Sequence, residues 1–191
     1  MAVRLSKVSL LHQACGAGDI ETVQAYISNQ KTEFVGGKRV MMFHLDPEGA
    51  SALSLAAMGG HVAVADLLLR VKMPAKSNAD VNGQSISGSS PLMLAAQNGH
   101  VDIVRLLLTS GADVHALNKV GETALHYAAR NRDSHTRSIV MQALTAAGAD
   151  MSVLNAKGLA AADLQAGKGE QAAGSTILLY IYPPAAALIL L

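Results

Sequence analysis

Residues 90–100 of the chain are SPLMLAAQNGH, and residues 123–131 are TALHYAARN. The two stretches share an opening hydroxyl residue, a leucine and a pair of alanines, and the leucines, Leu92 and Leu125, are 33 residues apart. A segment that returns at an interval of this size is typical of a protein built from stacked supersecondary units. The fold class is therefore predicted from the repeat rather than from individual residues.

Further copies of the pattern extend the repeat along most of the chain. Openings occur at residues 9–15 (SLLHQAC) and 51–57 (SALSLAA), and a degraded one occurs at 158–164 (GLAAADL). The loop that follows a unit also returns, as NADVN, GADVH and GADMS. We therefore expect about five units, the last of them imperfect.

These motifs resemble the ankyrin repeat, whose period is 33 residues and whose signature is T-P-L-H-x-A. The resemblance implies an all-α solenoid of stacked helix-turn-helix units with projecting hairpin loops. We expect residues 1–170 to form one ankyrin-repeat domain, followed by an apolar C-terminal tail at 171–191. The expected repeats are approximately residues 8–38, 46–82, 86–115, 119–152 and, in part, 156–170.

The residue types explain why each unit should form two helices. Ser90 and Thr123 are natural N-caps, and Pro91 occupies the first helical position, where proline is favoured. Paired alanines keep the first helix thin, so that neighbouring units can approach closely. Gly99 then ends that helix, because glycine adopts a positive φ at little cost. The second helix carries an apolar stripe at helical spacing, Val101, Val104, Leu107 and Leu108.

The spacing exceeds 33 residues at three joints between units. The extra residues fall near 29–38, 70–77 and 132–136. Because insertions in repeat proteins fall in loops, we expect a lengthened hairpin at the first. We expect Pro74 to end the helix before the second insertion. The third should lengthen the connection between the two helices of repeat four.

Composition limits the classes of function. The chain has 15 basic and 14 acidic residues without a basic run, which argues against nucleic-acid binding. The single cysteine, Cys15, excludes an intramolecular disulfide and a zinc cluster built on cysteines. The first residues lack the apolar stretch of a secretory signal, so we expect a cytoplasmic location, with the nucleus as the alternative.

The reactive side chains fit structural positions better than catalytic ones. Five of the seven histidines fall at positions of the repeat, namely His12, His61, His100, His115 and His126. The resemblance implies that His12 and His126 tie turns together. Cys15 stands where sister repeats carry alanine, which predicts a buried core residue. The sequence contains no metal-protease, CxxC or P-loop motif, so we assign no catalytic, cofactor or metal residue and expect no enzyme activity.

The resemblance also implies a function, because partners of ankyrin arrays usually dock on the concave face made by hairpin tips and first helices. We therefore expect a non-catalytic adaptor or scaffold for a protein partner of unknown identity. The candidate contact residues are Met58, Ile86, Gln97, Asn98, Lys119, Val120, Glu122, Tyr127, Arg130 and Asn131. Arg130 beside Tyr127 is the expected anchor, since arginine and aromatic residues often dominate binding energy. Replacing Arg130 and Asn98 with alanine should abolish partner capture with little change in melting temperature.

Two further places are candidates for modification. Asn82 stands where the resembled family carries an asparagine that can be hydroxylated. The serines of the loop 87–90 are candidates for phosphorylation. Neither modification is needed to explain the sequence.

Residues 171–191 contain no charged side chain and end in a strongly apolar run. Three interpretations remain open: a cap on the last repeat, a membrane anchor, or a segment that pairs with another chain or arises from splicing or a shifted reading frame. A spanning helix needs about 20 apolar residues. Pro183 and Pro184 interrupt the run, so the cap is favoured. A membrane-tethered scaffold is the alternative function.

Overall fold

The computed structural model describes residues 2–30, 49–70 and 81–165. All regular secondary structure in these three segments is helical. The helices are α1 (Ala2–Ala17), α2 (Ile20–Gln30), α3 (Ala52–Gly59), α4 (Val62–Arg70), α5 (Pro91–Asn98), α6 (Val101–Thr109), α7 (Ala124–Ala129), α8 (Ser134–Ala146) and α9 (Ala161–Gln165).

The helices form two layers. Helices α1, α3, α5, α7 and α9 stack in that order in an inner layer, and α2, α4, α6 and α8 stack in an outer layer. Each outer helix also packs on the inner helix that precedes it. Each unit is therefore stabilised by its neighbours, as in other solenoids. The prediction of an all-α solenoid is confirmed.

The core lies between the layers and is built from small and aliphatic side chains. Residues that recur from unit to unit supply much of it: Leu53, Leu92, Leu125, Ala57, Ala96 and Ala129. The predicted stripe of α6 is confirmed at Val104 and Leu107, which are buried. Val101 and Leu108 are half-buried at the edge of the core, and Ile103 is buried beside Val104 instead.

Serine hydroxyls cap two of the inner helices, and the cap at Ser90 is the one that the sequence predicts. The hydroxyl of Ser51 accepts a hydrogen bond from the amide of Ser54 at 3.1 Å. The hydroxyl of Ser90 accepts one from the amide of Met93 at 3.4 Å. Each bond satisfies an amide that has no partner within its own helix.

Thr123 and His126 tie the start of α7 to the next unit. The amide of Thr123 donates to His126 Nδ1 at 3.2 Å, and the Thr123 hydroxyl lies 2.9 Å from the same nitrogen. Because Nδ1 accepts, the ring proton is on Nε2, which donates to the carbonyl oxygen of Leu159 at 3.1 Å. The predicted turn-tying role of His126 is confirmed, and it spans two units.

Histidines that follow a glycine join α3 to α1 and α5 to α3. His61 Nε2 lies 2.9 Å from the carbonyl oxygen of Gly16, and His100 Nε2 lies 3.0 Å from that of Met58. Gly60 has a φ of 81°, and a Cβ atom placed there would lie 2.7 Å from the His100 ring. Glycine at this place therefore supplies both the turn and the space that the ring fills.

The fourth unit departs from this arrangement. The side-chain amide of Asn131 takes the place of the histidine and donates to the carbonyl oxygen of Gln97 at 3.1 Å. The connection before α8 has four residues, 130–133, against two, 99–100, before α6, so the predicted lengthening is confirmed. Helix α8 is also longer than α6, with 13 residues against 9, so part of the insertion forms an added helical turn. The Asp133 carboxylate caps this turn by accepting from the amide of His135 at 3.1 Å.

The two ends of the array differ in what the structure describes. Helix α1 begins at Ala2, upstream of residue 8, where the first repeat was expected. Beyond the ends of α2 and α4, the insertions at 29–38 and 70–77 lie outside the described residues, and so does the tail at 171–191. The predictions made for these segments stay predictions.

Candidate functional site

Among the described residues, three loops lead from an outer helix towards the inner helix of the next unit. We call them finger 3 (residues 81–89), finger 4 (114–122) and finger 5 (151–159). A glycine amide closes the turn at each tip, in the bonds Gly88 to Ser85 (2.9 Å), Gly121 to Asn118 (3.1 Å) and Gly158 to Asn155 (2.8 Å). The same turn is therefore presented three times along the array.

Backbone hydrogen bonds link the tips of neighbouring fingers. The amide of Lys119 donates to the carbonyl oxygen of Ser87 at 3.2 Å, and the amide of Ala156 donates to that of Val120 at 2.9 Å. The three tips consequently form one continuous surface.

A chain of side-chain hydrogen bonds runs through fingers 3 and 4. The Ser87 hydroxyl lies 2.8 Å from the Ser85 hydroxyl and 2.9 Å from the Ser89 hydroxyl. The Ser89 hydroxyl is 2.7 Å from the Tyr127 hydroxyl, to which Asn118 Nδ2 donates at 3.0 Å. Ser89 and Tyr127 are buried, so these bonds satisfy polar groups that would otherwise be costly to bury.

The chain of hydrogen bonds continues to the buried carboxylate of Glu122. This carboxylate accepts from Asn118 Nδ2 at 3.3 Å, from Asn155 Nδ2 at 3.2 Å and from Arg130 Nη1 at 2.9 Å. Burial alone would raise the pKa of Glu122, but the hydrogen bonds and the charge of Arg130 lower it below its ordinary value. The ionised carboxylate thus joins finger 4 to finger 5.

Arg130 follows α7 and extends towards the fingers. Its guanidinium pairs with Glu122 and lies 5.7 Å from the centre of the Tyr127 ring. The Arg130 side chain is 39% exposed, whereas that of Glu122 is only 7% exposed. The expected anchor is therefore already engaged inside the molecule.

A family model described as ankyrin repeats, in three copies, matches residues 11–118, 75–155 and 92–178. The chain belongs to the ankyrin-repeat family. Ankyrin repeats are generally protein–protein interaction modules, and proteins that contain them are typically non-catalytic. No curated protein matches this chain.

Seven of the ten predicted contact residues lie on the exposed surface of the ankyrin array. They are Met58, Ile86, Gln97, Asn98, Lys119, Val120 and Arg130. Their contact with a partner stays a prediction. Glu122 and Tyr127 are buried, and Asn131 is half-buried with its amide bonded to Gln97, so the expectation that these three are open surface is corrected. They are drawn inward because Arg130, Ser89 and the preceding unit supply their polar partners.

Two exposed leucines at the finger tips were not predicted as contact residues. Leu117 is 50% exposed and Leu154 is 58% exposed, and each directly precedes the asparagine of its tip. Finger 3 of the ankyrin array carries Gln84 at the same place. A polar residue at this place in one finger is the sequence signal that the two leucines are exposed. The signal is missed when leucine is assumed to be buried.

Cys15 and the histidines are the reactive side chains that the sequence offers for catalysis or metal binding in this ankyrin array. Cys15 is fully buried, as predicted, and burial raises the pKa of its thiol to about 12. Within the described segments, no cluster of three or more His, Cys, Asp or Glu residues could hold a metal ion. His44 lies outside the described residues, and His135 is exposed in the first turn of α8.

The proposed modification sites differ in what surrounds them. The side-chain oxygen of Asn82 accepts a hydrogen bond from the amide of Asp113 at 2.7 Å, which links finger 3 to the loop before finger 4. Ser87 is exposed, whereas Ser89 and Ser90 are buried. Modification of these residues stays a prediction.

The described helices also bear on the membrane alternative. Among them, none is both long and apolar enough to cross a membrane. The tail on which that alternative depends lies outside the described residues, so the anchored scaffold stays a prediction.

Proposed function

We propose that this ankyrin array is a non-catalytic adaptor that binds a protein partner through the tips of fingers 3, 4 and 5 and the ends of the adjoining inner helices. The proposal combines the general role of the family with the surface that this chain presents.

The distribution of exposed apolar residues carries the proposal. Nine large apolar side chains are exposed among the described residues, and five of them lie in the fingers. These five are Ile86, Leu117, Val120, Met151 and Leu154. Grouped apolar side chains on a soluble protein mark interaction sites, whereas scattered ones need no explanation.

Met58 extends the same surface towards the inner layer. It is the last exposed apolar residue of α3 and occupies the position that Gln97 and Arg130 hold in the next two units. Arg130 is only partly available, because its guanidinium already pairs with Glu122. The apolar tips therefore replace Arg130 and Tyr127 as the expected centre of the interface.

Affinity capture with matched variants tests this proposal. Leu117→Ser combined with Val120→Ser removes two exposed side chains from finger 4. Ile20→Ser combined with Val62→Ser removes two side chains, 38% and 39% exposed, from the outer helices α2 and α4. Photo-cross-linking in cell extract followed by mass spectrometry compares the proteins held by each variant.

The two variants should behave differently. Proteins captured by the wild-type chain should be retained by the outer-helix variant and lost from the finger variant, with circular dichroism unchanged in both. Equal capture by the finger variant would place the interface elsewhere and overturn the proposal.

A further inference from the structure

The finger tips carry positive charge beside their apolar side chains. Residues 84–88, 117–121 and 154–158 contain two lysines, Lys119 and Lys157, and no acidic residue. Both lysines are exposed. The amide of Lys119 donates to Ser87 of the neighbouring tip, and the amide of Lys157 donates to the side chain of Asn155 in its own tip.

The acidic residues near the fingers are committed elsewhere. Glu122 is buried and paired with Arg130, so this pair adds no net charge. Asp113 and Asp150 stand at the opposite ends of the fingers, beside the outer helices. Asp113 accepts from the amide of His115 at 2.9 Å, and Asp150 accepts from that of Ser152 at 2.8 Å.

The remaining described carboxylates lie away from the tips. Asp19, Glu21, Asp66, Asp102 and Asp133 belong to the outer helices or cap them, and Asp163 lies in α9, where it accepts from the amide of Ala160 at 2.9 Å. Among the described residues, the tips of fingers 3, 4 and 5 therefore carry a local positive charge, in a chain of nearly zero net charge.

We propose that the finger tips bind a polypeptide segment in which aspartate or glutamate stands beside large apolar residues. This inference rests on the proposed function and gives the chemistry of the partner. Apolar side chains of the segment would cover Val120 and its neighbours, and its carboxylates would face Lys119 and Lys157 at the edge of the contact.

A polypeptide fits this surface better than a nucleic acid. Binding to a phosphate backbone relies on several Lys and Arg contacts, and its affinity falls steeply with salt. Here two lysines alternate with Ile86, Val120 and Leu154, which a phosphate backbone would leave uncovered. Carboxylates placed among apolar residues match both parts of the surface.

Selection from a library of random displayed peptides tests the inference. The wild-type chain and the variant Lys119→Glu combined with Lys157→Glu are used as separate baits. Arg105→Glu, a charge reversal at an exposed residue of the outer helix α6, is the control bait. A labelled oligothymidylate is assayed in parallel as the nucleic-acid probe.

Peptides selected by the wild-type chain should be enriched in Asp or Glu beside large apolar residues. They should bind the double lysine variant roughly tenfold more weakly, and bind Arg105→Glu as well as the wild type. Raised ionic strength should reduce the difference in peptide affinity between the wild-type chain and the double lysine variant. The double variant used as bait should select Lys-rich or Arg-rich peptides instead.

Three results would overturn the inference, and they are distinguishable. Selected peptides that lack acidic enrichment but are lost from Leu117→Ser/Val120→Ser would refute the charge match and leave the proposed function standing. Peptides that bind Leu117→Ser/Val120→Ser and Lys119→Glu/Lys157→Glu as well as the wild type would count against both the inference and the proposed function. Tighter binding of oligothymidylate than of any selected peptide would assign the tips to nucleic acid.

Discussion

The carboxylate of Glu122 is held by Arg130, eight residues later, with Arg130 Nη1 donating to Glu122 Oε2 at 2.9 Å. The carboxylate is buried between fingers 4 and 5, while the guanidinium reaches solvent. Removing one partner leaves the other without its opposite charge. The two side chains differ in burial, and this difference leads to two predictions.

Arg130→Ala should lower the free energy of unfolding by about 1–2 kcal/mol, because it leaves a buried carboxylate without its cation. The figure lies below that for a fully buried pair, since the Arg130 side chain is more than a third exposed. Urea unfolding followed by circular dichroism measures the change. It differs from the sequence-based expectation that Arg130→Ala combined with Asn98→Ala leaves the melting temperature almost unchanged.

The control for that measurement is the double variant Arg130→Ala with Glu122→Gln. Removing both charges should cost less than the sum of the two single changes, because the pair is coupled. Equal stability of Arg130→Ala and the wild type would show that the ion pair contributes nothing.

Glu122→Gln should be more damaging at neutral pH than in acid. The pKa of Glu122 is lowered in the folded chain from its ordinary value of 4.5, so its contribution is present above that pH. The contribution is lost as the pH falls through the lower, folded pKa. At pH 7 we expect a cost of about 1–2 kcal/mol, which shrinks below pH 4.5.

Urea unfolding of wild type and Glu122→Gln across this range gives the difference directly. The comparison is needed because the pKa values of Asp19, Asp133 and Asp150 are also lowered by hydrogen bonds, so the wild type loses stability in acid for several reasons. A difference that does not vary with pH would mean that the ionised form of Glu122 is not the stabilising one.

Gly60→Ala should destabilise the chain more than Gly111→Ala. Both glycines have a positive φ, 81° and 87°, so the left-handed strain of about 1–2 kcal/mol is matched. A Cβ atom at Gly60 would also displace the ring of His100, whereas one at Gly111 would meet no atom within 4 Å. The extra cost should approach that of one hydrogen bond, about 1 kcal/mol.

Thermal unfolding of both variants, with and without His100→Ala, separates the two effects. Once the ring is gone, the difference between Gly60→Ala and Gly111→Ala should disappear. A difference that persists without the ring would assign it to another cause.

Cys15 should react slowly with thiol reagents in the native chain. With a pKa of about 12, the thiolate fraction at pH 7 is on the order of one part in 10⁵, and the side chain is fully buried. Labelling with a disulfide reagent, monitored by absorbance, should speed up sharply in denaturing urea. Native labelling as fast as that of the unfolded chain would rule out the buried position.

The sequence predicted the parts of the fold that depend on short-range pattern. The glycine before His100, the serine before Pro91 and the stripe at Val104 and Leu107 each act within a few residues or at the repeat interval, and each is observed. The sequence correctly predicts a longer connection between α7 and α8, but not the added turn of α8, because extra residues fit either a loop or a helical turn. The cap at Asp133 decides between them.

The candidate site was harder to predict, because exposure depends on partners distant in sequence. Motif position placed Glu122 and Tyr127 on the concave face, but Arg130 and Ser89 draw them into the interior. Ser89 and Tyr127 are 38 residues apart, and the repeat pattern does not specify which polar groups meet. Leu117 and Leu154 were missed for the opposite reason, since leucine usually indicates core.

The hydrogen bonds that run from Ser85 through Tyr127 and Glu122 to Asn155 fix three fingers in one arrangement before any partner arrives. The array has therefore already lost the conformational entropy that a loop-built binding surface would lose on association. Most of the conformational entropy lost when a complex forms is therefore lost by the bound segment. A segment that is already ordered when free should consequently bind more tightly than a disordered one of the same sequence, without a single added contact.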